Sequence, residues 1–242
     1  MSRFPLATVP RSRILPRQRQ KAWDIFPYPC IGQWRFLDFY LTTRSEYPSI
    51  IQRIQAGESF LDAGCCFGYI LRQLAFDGAP EANLYGTDLR QEFIDLGYDL
   101  FKDRETFGGT FVTGNALDFS DKALESLDGK IDIIHAASFF HLFSWDDQVN
   151  VGERLVRFFK PSAEKATLVG RQMGAFTPGP RTGEAGEGSS RYRHNVETFQ
   201  ELWNVIGERT GTKWKVSGEA RDERMGPDVE RTILQFTVIR AE

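Results

Sequence analysis

The segment Phe60-Leu61-Asp62-Ala63-Gly64-Cys65-Cys66-Phe67-Gly68 decides the fold, because it joins the end of an apolar strand to a glycine-containing turn ahead of a helix. A turn of this kind brings backbone N–H groups and a carboxylate close to a ligand. Further along the chain, a second apolar segment at 83–87 ends in Asp88, the usual position of an acid that binds a nucleotide ribose in a βαβ unit. Together the two features predict a nucleoside-cofactor site.

Strand-like and helix-like segments alternate after this turn, with no hairpin signal between consecutive strands. Such an alternation requires right-handed crossovers and a parallel sheet. Two alternating runs close the chain and are typical of an antiparallel strand pair added to that sheet. We therefore predict a Rossmann-like α/β fold, a seven-stranded mostly parallel sheet with a terminal antiparallel strand pair and an N-terminal helical extension. The predicted strands are 59–61, 83–87, 109–113, 131–136, 166–169, 213–220 and 231–240, and the predicted helices are 69–76, 91–101 and 148–159.

Three regions are expected along the chain. Residues 1–22 are basic, and their three prolines argue against an amphipathic helix, so we predict a flexible or wrapping arm. Residues 23–57 are rich in aromatic side chains and are predicted to form a helical cap, with one helix near 36–41. Residues 58–242 form the core, in which the Gly- and Pro-rich stretch near 174–195 is interpreted as a lid loop over the substrate.

Composition excludes several kinds of partner. The 242 residues are 41% hydrophobic and carry a formal net charge of −3, which favours a small-molecule partner over nucleic acid or an anionic membrane. No apolar run approaches the roughly 18 to 20 residues that span a bilayer, so no membrane span is expected. The three cysteines are odd in number and two are adjacent, which indicates a reducing compartment and a cytoplasmic location.

The spacing of the glycines narrows the cofactor class. A dinucleotide-binding turn has glycine at the position of Cys66, where the backbone must approach a pyrophosphate, and a Walker loop would need Gly-Lys-Ser/Thr. Asp62, Gly64 and Gly68 instead resemble motif I of class I S-adenosylmethionine-dependent methyltransferases, acid-x-Gly-x-Gly-x-Gly. The resemblance extends from residue 59 to the C-terminus, including the added antiparallel strands.

The resemblance implies S-adenosyl-L-methionine as the cofactor and assigns its ligands. Asp62, Gly64, Cys65 and Gly68 form the turn, Asp88 followed by Leu89 binds the ribose, and Asn115 with Ala116 recognises adenine. Two positions depart from the family pattern, because Cys66 replaces a glycine and Asn115 stands where Asp is frequent. The competing interpretation is that both acids cap helices and the glycines only turn the chain.

A second resemblance concerns the acceptor. Residues 28–37, Tyr-Pro-Cys-Ile-Gly-Gln-Trp-Arg-Phe-Leu, look like the N-terminal signature of fungal methyltransferases of meroterpenoid biosynthesis. This resemblance implies carboxyl O-methylation of a farnesylated aromatic polyketide. A carboxylate is already ionised at neutral pH, so catalysis needs positioning more than a base.

His141 is the candidate orienting or basic residue, and the candidate substrate-binding residues are Gln33, Trp34, Trp145, Arg171 and Arg193. His135 lies within an apolar strand and is interpreted as structural.

Several alternatives remain open at the level of sequence. The same cofactor site would serve a phenol O-methyltransferase, for which His141 could act as the base, or an N- or C-methyltransferase. The other interpretations are a non-catalytic cofactor-binding partner protein and, more distantly, a dehydrogenase. No Asn/Asp-Pro-Pro-aromatic motif follows the fourth strand, so adenine and glutamine N-methylation are not expected. The aromatic N-terminal region is compatible with a homodimer or with helices packed inside one monomer.

Overall fold

The computed structural model describes residues 11–163, 165–182, 190–222 and 232–241. The helices in these ranges are α1 Arg11–Ile25, α2 Pro29–Gly32, α3 Tyr47–Gln55, α4 Tyr69–Phe76, α5 Gln91–Phe101, α6 Trp145–Phe158 and α7 Val196–Thr210. The strands are β1 Phe60–Ala63, β2 Leu84–Asp88, β3 Thr110–Thr113, β4 Ile133–Ala137, β5 Thr167–Met173, β6 Gly179–Thr182, β7 Ser190–Arg193, β8 Lys213–Asp222 and β9 Thr232–Ala241. No helix in this part of the chain combines the length and apolarity that crossing a membrane requires.

The main sheet has seven strands in the order β3-β2-β1-β4-β5-β9-β8. Strands β1 to β5 pair in parallel, whereas β9 runs antiparallel to both β5 and β8. The predicted fold class is confirmed. The strand order reverses between β1 and β4, and in open α/β sheets the ligand binds outside the carboxyl ends of the strands at such a reversal. The turn after β1 and the acid that ends β2 both lie at that edge.

The central strands are apolar on both faces because both faces are covered. On one face, Leu61, Ile134 and Leu168 belong to a core cluster that includes side chains of α6 and α7. On the other face, Phe60 and Val169 pack in a cluster with side chains of α3 and α4. Burial of these side chains, which are 0–1% exposed, fixes the register of the strands that carry the site.

The N-terminal region differs from the expected arm. Helix α1 includes Pro16 at its sixth position, so the proline removes one backbone hydrogen bond without ending the helix. Tertiary packing stabilises α1, because Ala22 is fully buried in a cluster with Phe67 and Phe93 of the core. The helix predicted near 36–41 is also absent, since short 3₁₀ turns at 35–37 and 40–43 replace it. Residues 1–10 lie outside the described part of the chain.

The stretch predicted as a lid loop contains a two-stranded hairpin. Strands β6 and β7 pair antiparallel, and residues 183–189 between them lie outside the described residues. The hairpin is attached to the core where the Tyr192 amide donates to the Phe143 carbonyl over 2.9 Å. The fully buried His194 follows β7 and lies within hydrogen-bond distance of Gln148 on α6 and Thr198 on α7, 3.1 Å in each case. These bonds place β7 beside the segment that follows β4.

A buried ion pair stabilises the helix that follows the glycine turn. Arg72 of α4 donates to both carboxylate oxygens of Asp103, over 2.6 and 2.9 Å. Its Nη1 also donates to the carbonyls of Phe67 and Gly68, over 2.8 and 3.2 Å. The guanidinium lies over four aromatic rings, those of Tyr98, Phe101, Phe107 and Phe111. Arg72 therefore holds two carbonyl groups of the turn in place through hydrogen bonds.

Asp103→Ala should destabilise the fold strongly, because it leaves a buried guanidinium without its counter-ion. Removing one partner of a buried pair costs about 3–5 kcal/mol, and the side chains of Arg72 and Asp103 are only 3% and 7% exposed. Asp95→Ala is the matched control, since it removes the Arg104–Asp95 pair, whose side chains are 51% and 46% exposed. We expect that control to change the free energy of unfolding by less than about 1 kcal/mol in urea titrations. Equal losses in the two variants would contradict this assignment.

Candidate functional site

Three consecutive backbone amides tie the glycine turn to the end of β2. The amides of Gly64 and Cys65 both donate to the Thr87 carbonyl, over 2.8 and 2.9 Å. The next amide, that of Cys66, donates to Oδ2 of Asp88 over 2.9 Å. The turn is therefore held at a fixed distance from the acid that was predicted to bind ribose.

Left-handed backbone conformations explain the glycines of this turn. Gly64 and Gly68 have φ angles of +73° and +63°. A Cβ atom on Gly68 would lie 2.6 Å from Cζ of Phe111, and one on Gly64 would lie 3.0 Å from Cδ2 of Phe139. Both positions thus require glycine for conformation and for close packing.

Cys66 adopts a left-handed backbone conformation, which glycine adopts most readily. Its φ angle is +51°, in the left-handed region that side chains other than glycine rarely adopt. The Cys66 side chain packs against a cluster that includes Ile31 and Phe36 of the N-terminal region. Burial, together with the charge of Asp88, raises the pKa of the Cys66 thiol, so the thiol stays neutral. The departure from the family pattern is therefore accommodated by packing against the N-terminal region.

Asp88 lies at the carboxyl end of β2 with both oxygens oriented by backbone amides. Oδ1 accepts from the Arg90 amide over 3.0 Å, and Oδ2 accepts from the Cys66 amide. Burial raises the pKa of Asp88, while these two hydrogen bonds lower it. Tyr28 hydrogen-bonds to the Arg90 side chain, whose guanidinium lies 4.6 Å from the centre of the Phe26 ring. Residues of the N-terminal region thus contact Arg90, whose backbone amide binds this acid.

The predicted adenine segment follows β3 at the same edge of the sheet. The amide of Gly114 donates to the Asp88 carbonyl over 3.0 Å, which places Asn115 and Ala116 next to the end of β2. Asn115 is exposed, and its Oδ1 accepts from the Leu117 amide over 3.0 Å. Leu89 is 54% exposed. Asp88, Leu89, Asn115 and Ala116 are therefore brought together, and their contacts with adenosine stay a prediction.

Asp62 occupies a different environment from Asp88. It is 3% exposed, and its Oδ1 lies 2.7 Å from Nδ1 of His135 on the neighbouring strand β4. His135, interpreted from sequence as structural, thus lies directly beside a predicted site residue.

The two carboxylates and the glycine turn fit the predicted cofactor. A half-buried carboxylate suits vicinal ribose hydroxyls, and a second carboxylate beside a glycine turn suits the amino-acid portion.

His141 lies in a part of the structure where positive charge acts on its imidazole. It belongs to a 3₁₀ turn after β4, Phe140–Leu142, against which β7 packs. Burial, followed by the positive charges of Arg193, Arg191 and Arg35, lowers the pKa of His141 to about 3, so its imidazole is neutral at physiological pH. Its Nδ1 is buried and, within the described residues, makes no hydrogen bond. Arg193 and His141, both predicted site residues, are thus neighbours.

The remaining predicted substrate residues occupy three different places. Gln33 is exposed and accepts from Nε of Arg35 over 3.3 Å. Trp34 packs in the N-terminal cluster under the guanidinium of Arg19. Trp145 begins α6, and its ring contacts those of Tyr192 and His194 at the base of the hairpin. Arg171 is 8% exposed and pairs with Asp38. Their roles toward a substrate stay predictions.

Four residues near the site were not predicted individually from the sequence: Tyr28, Arg35, Tyr40 and Arg191. The spacing of Arg191 and Arg193 carried a usable signal, because residues two apart in a strand share one face. Because the glycine-rich stretch was interpreted as a loop, this spacing was not used to place the two arginines on one face of a strand. No local pattern indicated Tyr40, whose contacts are with residues far away in sequence.

Two family models match parts of this chain. A family model described as "Meroterpenoid methyltransferase N-terminal domain" matches residues 14–37, and one described as "Methyltransferase domain" matches residues 60–162.

Three relatives illustrate the similarity. The chain is 45% identical over 200 residues to O-methyltransferase phiE of Fungal sp. (strain ATCC 74256), covering 82% of this chain and 66% of the relative. It is 40% identical over 207 residues to O-methyltransferase atr3 of Stereocaulon alpinum, covering 85% and 59%. It is 34% identical over 224 residues to Asnovolin E/Chermesin D methyltransferase nvfJ of Aspergillus novofumigatus, covering 92% and 80%. The chain thus spans less than two thirds of the length of the first two.

Solved structures share the fold at low sequence identity. The magnesium protoporphyrin IX methyltransferase of Synechocystis PCC 6803 with bound SAH superposes with a TM-score of 0.56 at 14% identity, covering 93% of this chain and 94% of that one. An S-adenosylmethionine-dependent methyltransferase from Mesorhizobium loti gives a TM-score of 0.51 at 15% identity, covering 83% and 100%.

Buried His194 should make stability depend on pH. Burial lowers the pKa of His194 from 6.5 to about 4, so between these values the unfolded chain binds the extra proton and stability falls as the pH falls. From pH 7 to pH 5 this single group should cost about 2 kcal/mol. Urea titrations of the wild type and of His194→Gln at both pH values test this. The variant should lose less stability than the wild type by that amount, and equal losses would contradict it.

Proposed function

The chain belongs to the family of fungal meroterpenoid methyltransferases, and we propose from this premise that it transfers a methyl group from S-adenosylmethionine to a small organic acceptor. We propose further that the acceptor atom is a carboxylate oxygen, so that the product is a methyl ester. The observation that carries the second step is that β7, with Arg191 and Arg193, packs against the turn that contains His141. Positive charge from these two arginines and from Arg35 also disfavours the charged form of His141.

The cofactor side of the proposal uses residues at the carboxyl ends of β1 and β2. Asp88 would accept hydrogen bonds from the ribose hydroxyls, and the turn at Gly64 would lie against the amino-acid portion. The cofactor supplies a methyl group on a positively charged sulfur. The rigid attachment of the turn to Thr87 supports this assignment, because alignment for an in-line displacement needs a fixed cofactor position.

The positive charge of the arginine side chains supports the choice of a carboxylate as the acceptor. Guanidinium groups hold carboxylates through charge-assisted hydrogen bonds, so three arginines near one point favour an anionic acceptor over a neutral one. An ionised carboxylate has no proton to lose, so the chain needs no general base for this reaction. His141 would orient the acceptor, and the partly buried rings of Phe139 and Trp145 would reduce the access of water.

A phenol acceptor is the second candidate. The neutral imidazole of His141 has a buried Nδ1 to which no described residue is bonded, and this nitrogen could accept a hydrogen bond from a phenol hydroxyl. In that case the arginines would stabilise the phenolate that forms. The two candidates differ in the chemistry of the product, because a methyl ester is cleaved by mild base and an aryl methyl ether is not.

Asp88→Ala should strongly weaken cofactor binding. The ribose would lose two hydrogen bonds to a charged acceptor, each worth about 1.5–3 kcal/mol, so the dissociation constant of S-adenosylhomocysteine should rise at least about 100-fold. Isothermal titration calorimetry measures the change. Asp77→Ala, which removes an exposed carboxylate at the other end of α4, should leave the affinity unchanged. Retention of wild-type affinity in Asp88→Ala would refute the ribose assignment.

Arg191→Ala and Arg193→Ala should each slow transfer to an acidic acceptor. The assay is transfer of labelled methyl groups from S-adenosylmethionine to a fungal metabolite extract, followed by mild base to release the methyl groups of esters. Loss of one charge-assisted bond should lower the rate of base-labile labelling by about 10- to 100-fold at limiting acceptor. Arg209→Ala, on the exposed Arg209–Glu153 pair, is the control. Label that resists base would favour the phenol acceptor, and loss that also weakens S-adenosylhomocysteine binding would contradict an acceptor role.

A further inference from the structure

A chain of three buried polar side chains lies beside the glycine turn. The Tyr40 hydroxyl is 2.7 Å from Nε2 of His135, and Nδ1 of His135 is 2.7 Å from Oδ1 of Asp62. The three residues are 4%, 1% and 3% exposed. They come from the N-terminal segment, from β4 and from β1, so the chain joins parts of the molecule that are distant in sequence.

The hydrogen-bond directions follow from the chemistry of the groups. A carboxylate is an acceptor, so Nδ1 of His135 donates to Asp62. In a neutral imidazole Nε2 is then the acceptor, and the Tyr40 hydroxyl donates to it. Each hydrogen bond therefore fixes the next, and the orientation of the Asp62 carboxylate depends on Tyr40.

The tyrosine is itself held in place by a charged pair. The Arg171 guanidinium lies 3.9 Å from the centre of the Tyr40 ring and donates to Oδ2 of Asp38 over 2.5 Å. Asp38 and Tyr40 both belong to the N-terminal segment, whereas Arg171 is on β5. Arg171, a predicted substrate residue, thus fixes the ring that begins the hydrogen-bonded chain.

Packing alone does not explain these side chains. Their neighbours on the same face of the sheet, Phe60 and Ile133, are apolar and 0% exposed, and apolar residues of similar volume fill such a site without a desolvation cost. Within the described residues, the bond to His135 is the side-chain hydrogen bond of Asp62. The second oxygen of the carboxylate is therefore available to a ligand.

We propose that Tyr40 and His135 are positioning residues that hold the Asp62 carboxylate in the orientation that receives the ammonium group of the cofactor's amino-acid portion. This inference rests on the proposed function. It makes cofactor affinity depend on residue 40, which precedes the part of the chain that matches the methyltransferase domain model. Tyr40 exerts this effect through His135 and does not contact the cofactor.

Two ligands and two phenylalanine variants test the proposal by calorimetry. S-adenosylhomocysteine carries the amino-acid portion, whereas methylthioadenosine keeps the nucleoside and lacks the ammonium group. Tyr40→Phe keeps the ring under Arg171 and removes one buried hydrogen bond, so S-adenosylhomocysteine should bind about 3- to 10-fold more weakly while methylthioadenosine binds as before. Tyr47→Phe removes a tyrosine hydrogen bond to Asp77 outside the chain of three and should change neither affinity.

His135→Asn provides an independent variant, because its amide can replace the Nδ1 donor but offers Tyr40 no imidazole acceptor. If the three residues act as a unit, Tyr40→Phe should add little to the loss in His135→Asn. Equal weakening of both ligands in Tyr40→Phe would indicate a purely structural role and overturn the proposal. Unchanged S-adenosylhomocysteine affinity would also overturn it, while leaving the proposed function intact. Failure of the wild type to bind either ligand would instead refute the proposed function, and the inference with it.

Discussion

The attachment of the glycine turn to the end of β2 is the constraint on which the site depends. Three successive amides, from Gly64 to Cys66, donate to the carbonyl of Thr87 and the carboxylate of Asp88. This bonding sets the distance between the turn and the acid without any contribution from a ligand. Arg72 holds the opposite, carbonyl side of the turn through bonds to Phe67 and Gly68. The turn is therefore organised mainly by backbone groups, and the Cys66 side chain is accommodated by packing against the N-terminal region.

The N-terminal region completes the site from outside the α/β core. It covers Cys66 with apolar side chains, brings Tyr28 to Arg90 beside Asp88, and contributes Tyr40 to the buried chain that ends at Asp62. The region is helical only in part, since its aromatic side chains contact separate partners in the core. A regular helix presents one face to a single neighbour, so the 3₁₀ turns at 35–37 and 40–43 suit a segment that must reach several. The arginine and aromatic side chains of this region therefore pack against the core and do not form a separate unit.

Two histidines near the acceptor side are neutral for one physical reason, which is desolvation. His194 is fully buried between α6, α7 and the hairpin, and His141 is partly buried beside three arginines. In both cases the charged form would have to give up its hydration without a carboxylate to compensate. His135 differs in its contacts, because its two ring nitrogens lie within hydrogen-bond distance of Asp62 and Tyr40. The same residue type thus packs in the core, lies at the proposed acceptor site and hydrogen-bonds to a carboxylate, according to what surrounds it.

Hydrophobic periodicity and strand-helix alternation are local properties, so they were enough to predict the α/β fold, the bounds of α4 and α5 and the terminal antiparallel pair. The sequence also indicated the glycine turn and Asp88, since those residues follow their strands directly. Helix α1 was not predicted, because its stability comes from packing of Ala22 against the core and overrides the local effect of Pro16. The hairpin and the chain from Tyr40 to Asp62 were likewise decided by tertiary structure. A hydrogen bond between residues 40 and 135, 95 positions apart, leaves no periodic pattern in the sequence.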